Sequence, residues 1–190
     1  MGTRDRILDA AADIMRERGV AHATTKEIAR AAGYSEAALY KHFGDKEELI
    51  LEVLRERMPD LSALTPRAGT STVEANLAAI ARAATAFYQR ALPLFGGLLA
   101  EHARMAAHRD AMRKHGGGPG HAIARIAEYL RAEQELGRIA ADADVETVAA
   151  LLDGGCFHQA FLRYYSAGPD AGPIPASVAK RMAHSLFRAL

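Results

Sequence analysis

Between Thr24 and Lys46 the chain gathers side chains suited to holding phosphate oxygens. Thr24, Thr25, Ser35 and Tyr40 carry hydroxyls, and Lys26, Lys41 and Lys46 carry positive charge. Lys46 follows Asp45, which has the type and spacing of a helix N-cap. A cation in a first helical turn opposes the helix dipole, so Lys46 is expected to serve an outside anion. His42 adjoins Lys41, and Glu36 and Ala37 lie shortly before them. A carboxylate at Glu36 repels phosphate. It either accepts a hydrogen bond from a cytosine amino group or points away.

Two short helices must position these groups. Thr24 is the expected N-cap of the first, Thr25 to Ala32, with Glu27 in the capping-box position. Ile28 and Ala29 form its apolar face, and Gly33 ends it with a left-handed residue. Ser35 caps the second, Glu36 to Lys41. Leu39 and Phe43 are one turn apart and face inward, leaving Tyr40, Lys41 and His42 outside. Helix, glycine turn, helix is the helix-turn-helix pattern, whose second helix enters the major groove of DNA. Tyr40, Lys46, Lys26, Thr24 and Thr25 are expected mainly on phosphates, and Glu36, Ala37, Lys41 and His42 nearer base edges.

The Thr24-Thr25 start, Ile28-Ala29, Ala32-Gly33, Leu39-Tyr40, His42-Phe43 and Lys46 together resemble the DNA-binding region of the TetR family of bacterial transcriptional regulators. The resemblance covers roughly residues 4 to 54. It implies an all-α protein of about nine helices: a three-helix helix-turn-helix domain at residues 1–48, then a ligand-binding and dimerisation domain at residues 49–190. It further implies a repressor that releases a palindromic operator when a small molecule binds. The last two helices would form a homodimeric four-helix bundle. The effector pocket would lie among the helices from Thr72 to Tyr165, with Phe87, Phe95, His102, Met105, Tyr129, Phe157 and Phe161 as its expected lining. Aromatics and methionines suit an adaptable apolar cavity, and buried charge is not evident there, so a largely hydrophobic effector is expected.

Charge and composition bound the remainder. The formal net charge of the 190 residues is only +1. Up to Arg57, ten basic residues face eleven acidic ones. A module so balanced must segregate its charges to bind DNA. The acids do cluster, on the first helix (Asp5, Asp9, Asp13, Glu17) and the fourth (Glu47, Glu48, Glu52, Glu56). A 49% hydrophobic content supports a real core. The lone Cys156 forms no intrachain disulfide and reads as a small buried residue. No apolar run approaches a membrane span and no signal-peptide core opens the chain, which points to a cytoplasmic protein. No cofactor or metal set is expected. An enzyme is disfavoured: His102 and His108 do not share a helical face well, and His158, Tyr164 and Tyr165 have no readable partner. A helical interaction module without a DNA role is the other alternative, and the cluster of Tyr40, Lys41, His42 and Lys46 argues against it.

Helical spacing continues along the chain. Thr3 to Arg18 carries the stripe Ile7, Leu8, Ala11, Ile14, Met15, and Gly19 ends it. Lys46 to Met58 follows, and Pro59 to Ser71 reads as a loop. Further helices are expected at Thr72 to Ala91, broken by Pro93, then Leu94 to Lys114 and, past the Gly116 to Gly120 loop, His121 to Leu136. Asp144 caps the next, which runs to Gly168 and is apolar on more than one face; Ala176 to Leu190 is the last. Two such late helices need a partner beyond their own core, and Gly154-Gly155 would allow close approach.

Overall fold

The computed structural model describes residues 2–20, 22–57, 65–100, 102–114, 118–169 and 171–190. Their regular structure is entirely helical: α1 Thr3–Arg18, α2 Thr25–Ala32, α3 Glu36–Tyr40, α4 Lys46–Glu56, α5 Val73–Ala100, α6 His102–Lys114, α7 Pro119–Glu135, α8 Val145–Ala167 and α9 Ala176–Phe187. Two packed units result, residues 1–59 with 90–115, and residues 60–89 with 116–190.

Local signals build the first unit. The Thr24 hydroxyl accepts from the Glu27 N–H at 3.2 Å and donates to the Glu27 carboxylate at 2.9 Å. Gly33 ends α2 in the left-handed region, φ 81°. The Tyr34 N–H then reaches the Ala29 carbonyl at 2.8 Å and the Gly33 N–H that of Arg30 at 3.1 Å, a two-bond lock of the helix end. Ser35 accepts from Ala38 N–H, and Asp45 from Glu48 N–H at 2.7 Å. These caps hold α2, α3 and α4 at the angles that bring Ile28, Leu39, Phe43, Leu49 and Val53 against Ile7, Leu8 and Met15 of α1, all essentially without solvent contact.

Arginines clamp α1 to α4. Arg4 pairs with Glu52 and with Glu56, the latter at 2.9 Å, while its guanidinium lies over the Phe43 ring. Arg57 reaches back to Asp9 at 2.7 Å and Asp5 at 3.1 Å. The bond from Arg4 pulls the Glu56 carboxyl down to about 2, and the bond from Arg57 lowers Asp5.

Pro93 does not break its helix. A proline inside a helix loses one hydrogen bond and crowds the carbonyl four residues back. Here α5 runs through it, because burial of Ala91, Pro93 and Leu94 holds the segment on its core, and the next helix starts only at His102. Helix α7 also starts earlier than expected, at Pro119 behind Gly118, where a residue without an N–H fits the first turn. Met58 and residues 59–64 of the expected loop, and Gly116 and Gly117, lie outside the described residues.

In the second unit Leu77, Ile80 and Ala81 of α5 meet Ile126 and Leu130 of α7, Leu152 and Cys156 of α8, and Ala179 and Ala183 of α9. The alanines let α9 lie close, and a Cβ on Gly155 would come within 2.8 Å of the Met182 methyl. Gly154 faces open space instead. Fully buried Glu133 accepts from the Gly69 N–H at 3.3 Å and pairs with Arg138 at 3.2 Å, which ties the segment around Gly69 to α7. Arg138 also donates to the Ser71 carbonyl.

The α1–α4 clamp has a pH signature. Glu56 ionises more easily in the fold than its ordinary 4.5, so its stabilisation is complete above that pH and is lost as pH falls towards about 2. Because both partners touch solvent, the pair contributes about 1 kcal/mol or less. Arg4→Gln should lower the melting temperature at pH 7 and flatten its decline between pH 5 and about pH 2.5, measured by circular dichroism.

Candidate nucleic-acid interface

The side chains that the α2–α3 region leaves outside are those singled out by type. Lys26, Lys41 and His42 are exposed, Tyr40 is 46% exposed, and Lys46 is half-buried at the start of α4. Among the described residues none of the three lysines forms an ion pair, whereas Arg4, Arg16, Arg18, Arg55 and Arg57 of the same unit all pair with carboxylates. Arg6 lies over the Tyr34 ring at 5.1 Å and donates to its hydroxyl at 3.3 Å. Lys26, Lys41 and Lys46 thus keep their charge available around α3 and its flanks, and exposed Arg30 of α2 adds to it. Thr24, Ser35 and Ala37 are exposed there, Thr24 and Ser35 with their oxygens already capping helices.

Two of the expected contact residues turn inward. Thr25 is buried and its hydroxyl donates to Glu36, while the Tyr40 hydroxyl stands 3.4 Å from the same oxygen. The Thr25 hydroxyl is thus not a surface donor, because its proton is engaged within the protein. Glu36, half-buried, has one oxygen committed to Thr25, which turns that side of the carboxylate towards α2. A line of hydroxyl and carboxylate groups thereby ties the start of α2 to both ends of α3.

The seven residues expected around an effector are divided between the two units. Phe95, His102 and Met105 belong to the first unit, where Phe95 meets His108 edge to face at 6.2 Å. His102 is exposed. In the second unit Phe87 and Phe157 each meet Tyr88 edge to face, at 5.2 and 5.4 Å. Phe161 packs on Tyr165 and is largely exposed. Tyr129 is buried, with no hydrogen-bond partner on its hydroxyl, and borders a groove of about 340 Å³ shared with Thr65, Pro66, Arg67 and Ala68. Helical spacing shows that a residue faces inward without showing which neighbour it meets.

Two residues not anticipated are Tyr88 and Asp153. Asp153 is 6% exposed, and both its oxygens accept from the Tyr88 hydroxyl, at 2.9 and 2.8 Å. Burial pushes the Asp153 carboxyl up, and burial beside this carboxylate raises the Tyr88 hydroxyl as well. Burial, with a smaller effect of Asp153, pushes the Cys156 thiol up to about 12. A signal existed in the sequence: Asp153 lies on the inward stripe of Ala149, Leu152, Cys156 and Ala160. Among the described residues no three His, Cys, Asp or Glu side chains form a metal site, and no helix is long and apolar enough to cross a membrane.

Comparison with known proteins agrees with this geometry. Residues 7–53 match the family described as bacterial regulatory proteins, tetR family. The HTH-type transcriptional repressor KstR2 of Rhodococcus jostii is 43% identical over 60 residues, which are 32% of this chain and 29% of that protein. The chain thus spans under a third of that relative's length. Among solved structures, a protein of Mesorhizobium loti assigned to the TetR family superposes with a TM-score of 0.74 over 98% of this chain and 94% of its own, at 23% identity. GusR of Salmonella enterica gives 0.68 over 99% and 95%, at 26% identity.

Removing the internal donor should loosen α3. Thr25→Val leaves the Glu36 oxygen to solvent and should cost about 1 kcal/mol, read as a lower urea midpoint at unchanged slope.

Proposed function

We propose, from the match of residues 7–53 to the family of bacterial regulatory proteins, tetR family, that the chain is a ligand-responsive repressor, a homodimer that holds a palindromic operator and releases it when a small molecule binds. The observation that carries this reading is the charge pattern of the first unit: Asp5, Asp9, Glu52 and Glu56 hold arginines, while Lys26, Lys41 and Lys46 remain unpaired around α3. Residues 1–48 are assigned to the DNA and residues 49–190 to effector and dimer. Lys26, Lys46 and Tyr40 take phosphates, and Thr24 caps the helix that carries Lys26. Lys41, His42 and Ala37 lie nearer base edges, with Ser35 and Glu36 setting the pose of α3. The similarity to transcriptional regulators supports a binding rather than a catalytic role, and a cytoplasmic one.

The dimer reading rests on α8 and α9. Along α8 the residues Leu151, Gly154, His158, Phe161, Leu162 and Tyr165 follow one another at helical spacing and are all exposed. Phe187 of α9 is also exposed. Leu151 is 58% and Tyr165 81% exposed, unusual for side chains of this size on one helix. Gly154 has open space around it and admits a second helix at close range. Leu152, by contrast, is fully buried within its own protomer, so its substitution does not isolate the interface. A two-fold protein then presents two copies of α3 roughly 34 to 36 Å apart, and a ligand that prefers another spacing weakens operator binding. The effector is expected to be largely apolar in body.

Two outcomes check this reading. Lys46→Ala should weaken binding to all duplexes about equally and lower the salt slope by about one unit, by mobility shift against operators selected from a random pool. Unchanged affinity and slope would refute the assignment. Phe161→Glu should give monomers by sedimentation at micromolar concentration and poor retention of a palindrome. A wild-type monomer under those conditions removes the dimer.

A further inference from the structure

Two carboxylates are buried in the second unit, and they are treated differently. Glu133 has the Arg138 guanidinium at 3.2 Å and the Gly69 N–H at 3.3 Å. Asp153 has only a neutral partner, the single Tyr88 hydroxyl shared between its two oxygens. Among the described residues no lysine, arginine or histidine pairs with it, and the nearby Cys156 thiol is turned to the Ala81 carbonyl at 3.5 Å. A carboxylate offers about four acceptor positions, and one hydroxyl proton shared between its oxygens leaves the others open. A buried carboxylate without a cation is costly, and that cost vanishes when a cation arrives.

The surroundings suit such a visitor. Tyr88 is half-buried, with Phe87 and Phe157 edge-on at 5.2 and 5.4 Å. Phe157 is 43% exposed in the single chain and borders the α8 face assigned to the dimer, so the aromatic shell beside Asp153 reaches the edge of that face. Aromatic faces attract ammonium groups, and a carboxylate receives their N–H donors in strong charge-assisted bonds.

We propose that Asp153, framed by Tyr88, Phe87 and Phe157, is the charge-recognition point of a site for small organic cations, amines carried on an aromatic or aliphatic body. This deepens the reading of the second unit as an effector domain and rests on it. It also replaces the expectation that the effector domain lacks buried charge: the ligand is apolar in body but cationic at one end. The ammonium occupies the carboxylate positions that Tyr88 leaves free, and the body lies on the rings.

The test uses the full chain and three molecules of one skeleton: 4-phenylbutylamine, 4-phenylbutanol and 4-phenylbutyrate, titrated calorimetrically at pH 7.5. The amine should bind at least about tenfold more tightly than the alcohol, and the carboxylate should not bind measurably. Asp153→Asn should bring the amine-to-alcohol ratio to about one, with unchanged circular dichroism. Tyr88→Phe keeps the ring and the acid but removes the competing donor, and should strengthen the amine preference, which serves as the test even where Asp153→Asn does not fold. The proposal is overturned by absence of amine binding, by alcohol or carboxylate binding as tight as the amine's, by a preference that survives Asp153→Asn, or by one that weakens in Tyr88→Phe. A mobility shift without any ligand judges the DNA reading separately. Its failure leaves the Asp153 site standing, and failure of the amine ratio leaves the DNA reading standing.

Discussion

What the first unit presents to solvent depends on where its carboxylates are paired. With nearly equal numbers of acids and bases up to Arg57, an indiscriminate pairing would leave no net charge anywhere. The fold avoids this by placing Glu52 and Glu56 of α4 and Asp5 and Asp9 of α1 within reach of Arg4, Arg55 and Arg57. Lys26 on α2, Lys41 just past α3 and Lys46 at the start of α4 lie beyond that clamp. Coulomb attraction thus acts twice, holding α1 on α4 and leaving a positive surface around α3.

The same economy of partners shapes α3 itself. A helix as short as Glu36–Tyr40 has too few internal bonds to stand alone. It is held by Leu39 in the core, by the Ser35 cap and by the bond from Thr25 to Glu36. Glu36, whose charge invites a base-reading role, also ties α3 to α2. Tyr40 stands over this arrangement with its hydroxyl near Thr25 and much of its ring in solvent.

In the second unit α8 is apolar on two sides, and each side has its own use. Val145, Ala149, Leu152, Cys156 and Ala160 close the core with α5, α7 and α9. Leu151, Phe161 and Tyr165 remain outside. Asp153 lies on the inner side, where a charge is least expected, and Tyr88 of α5 is the group that meets it.

The sequence by itself determined the helices, their caps and the inward stripes, because these follow from spacing and turn chemistry over a few residues. Thr24, Gly33, Ser35, Asp45 and Asp144 stand where their side chains and backbone freedom require. It also determined the helix-turn-helix surface, since Tyr40, Lys41 and His42 are outside as soon as Leu39 and Phe43 are in. Only the tertiary structure decided what lies beyond one helix. That Pro93 is carried through α5 depends on burial of its neighbours, which no local rule contains. That Thr25 turns to Glu36 and that Asp153 meets Tyr88 are pairings between residues 11 and 65 positions apart, and that Phe95 and Phe157 fall in different units is likewise beyond any local rule. Periodicity tells which way a side chain faces; long-range packing alone tells what it finds there.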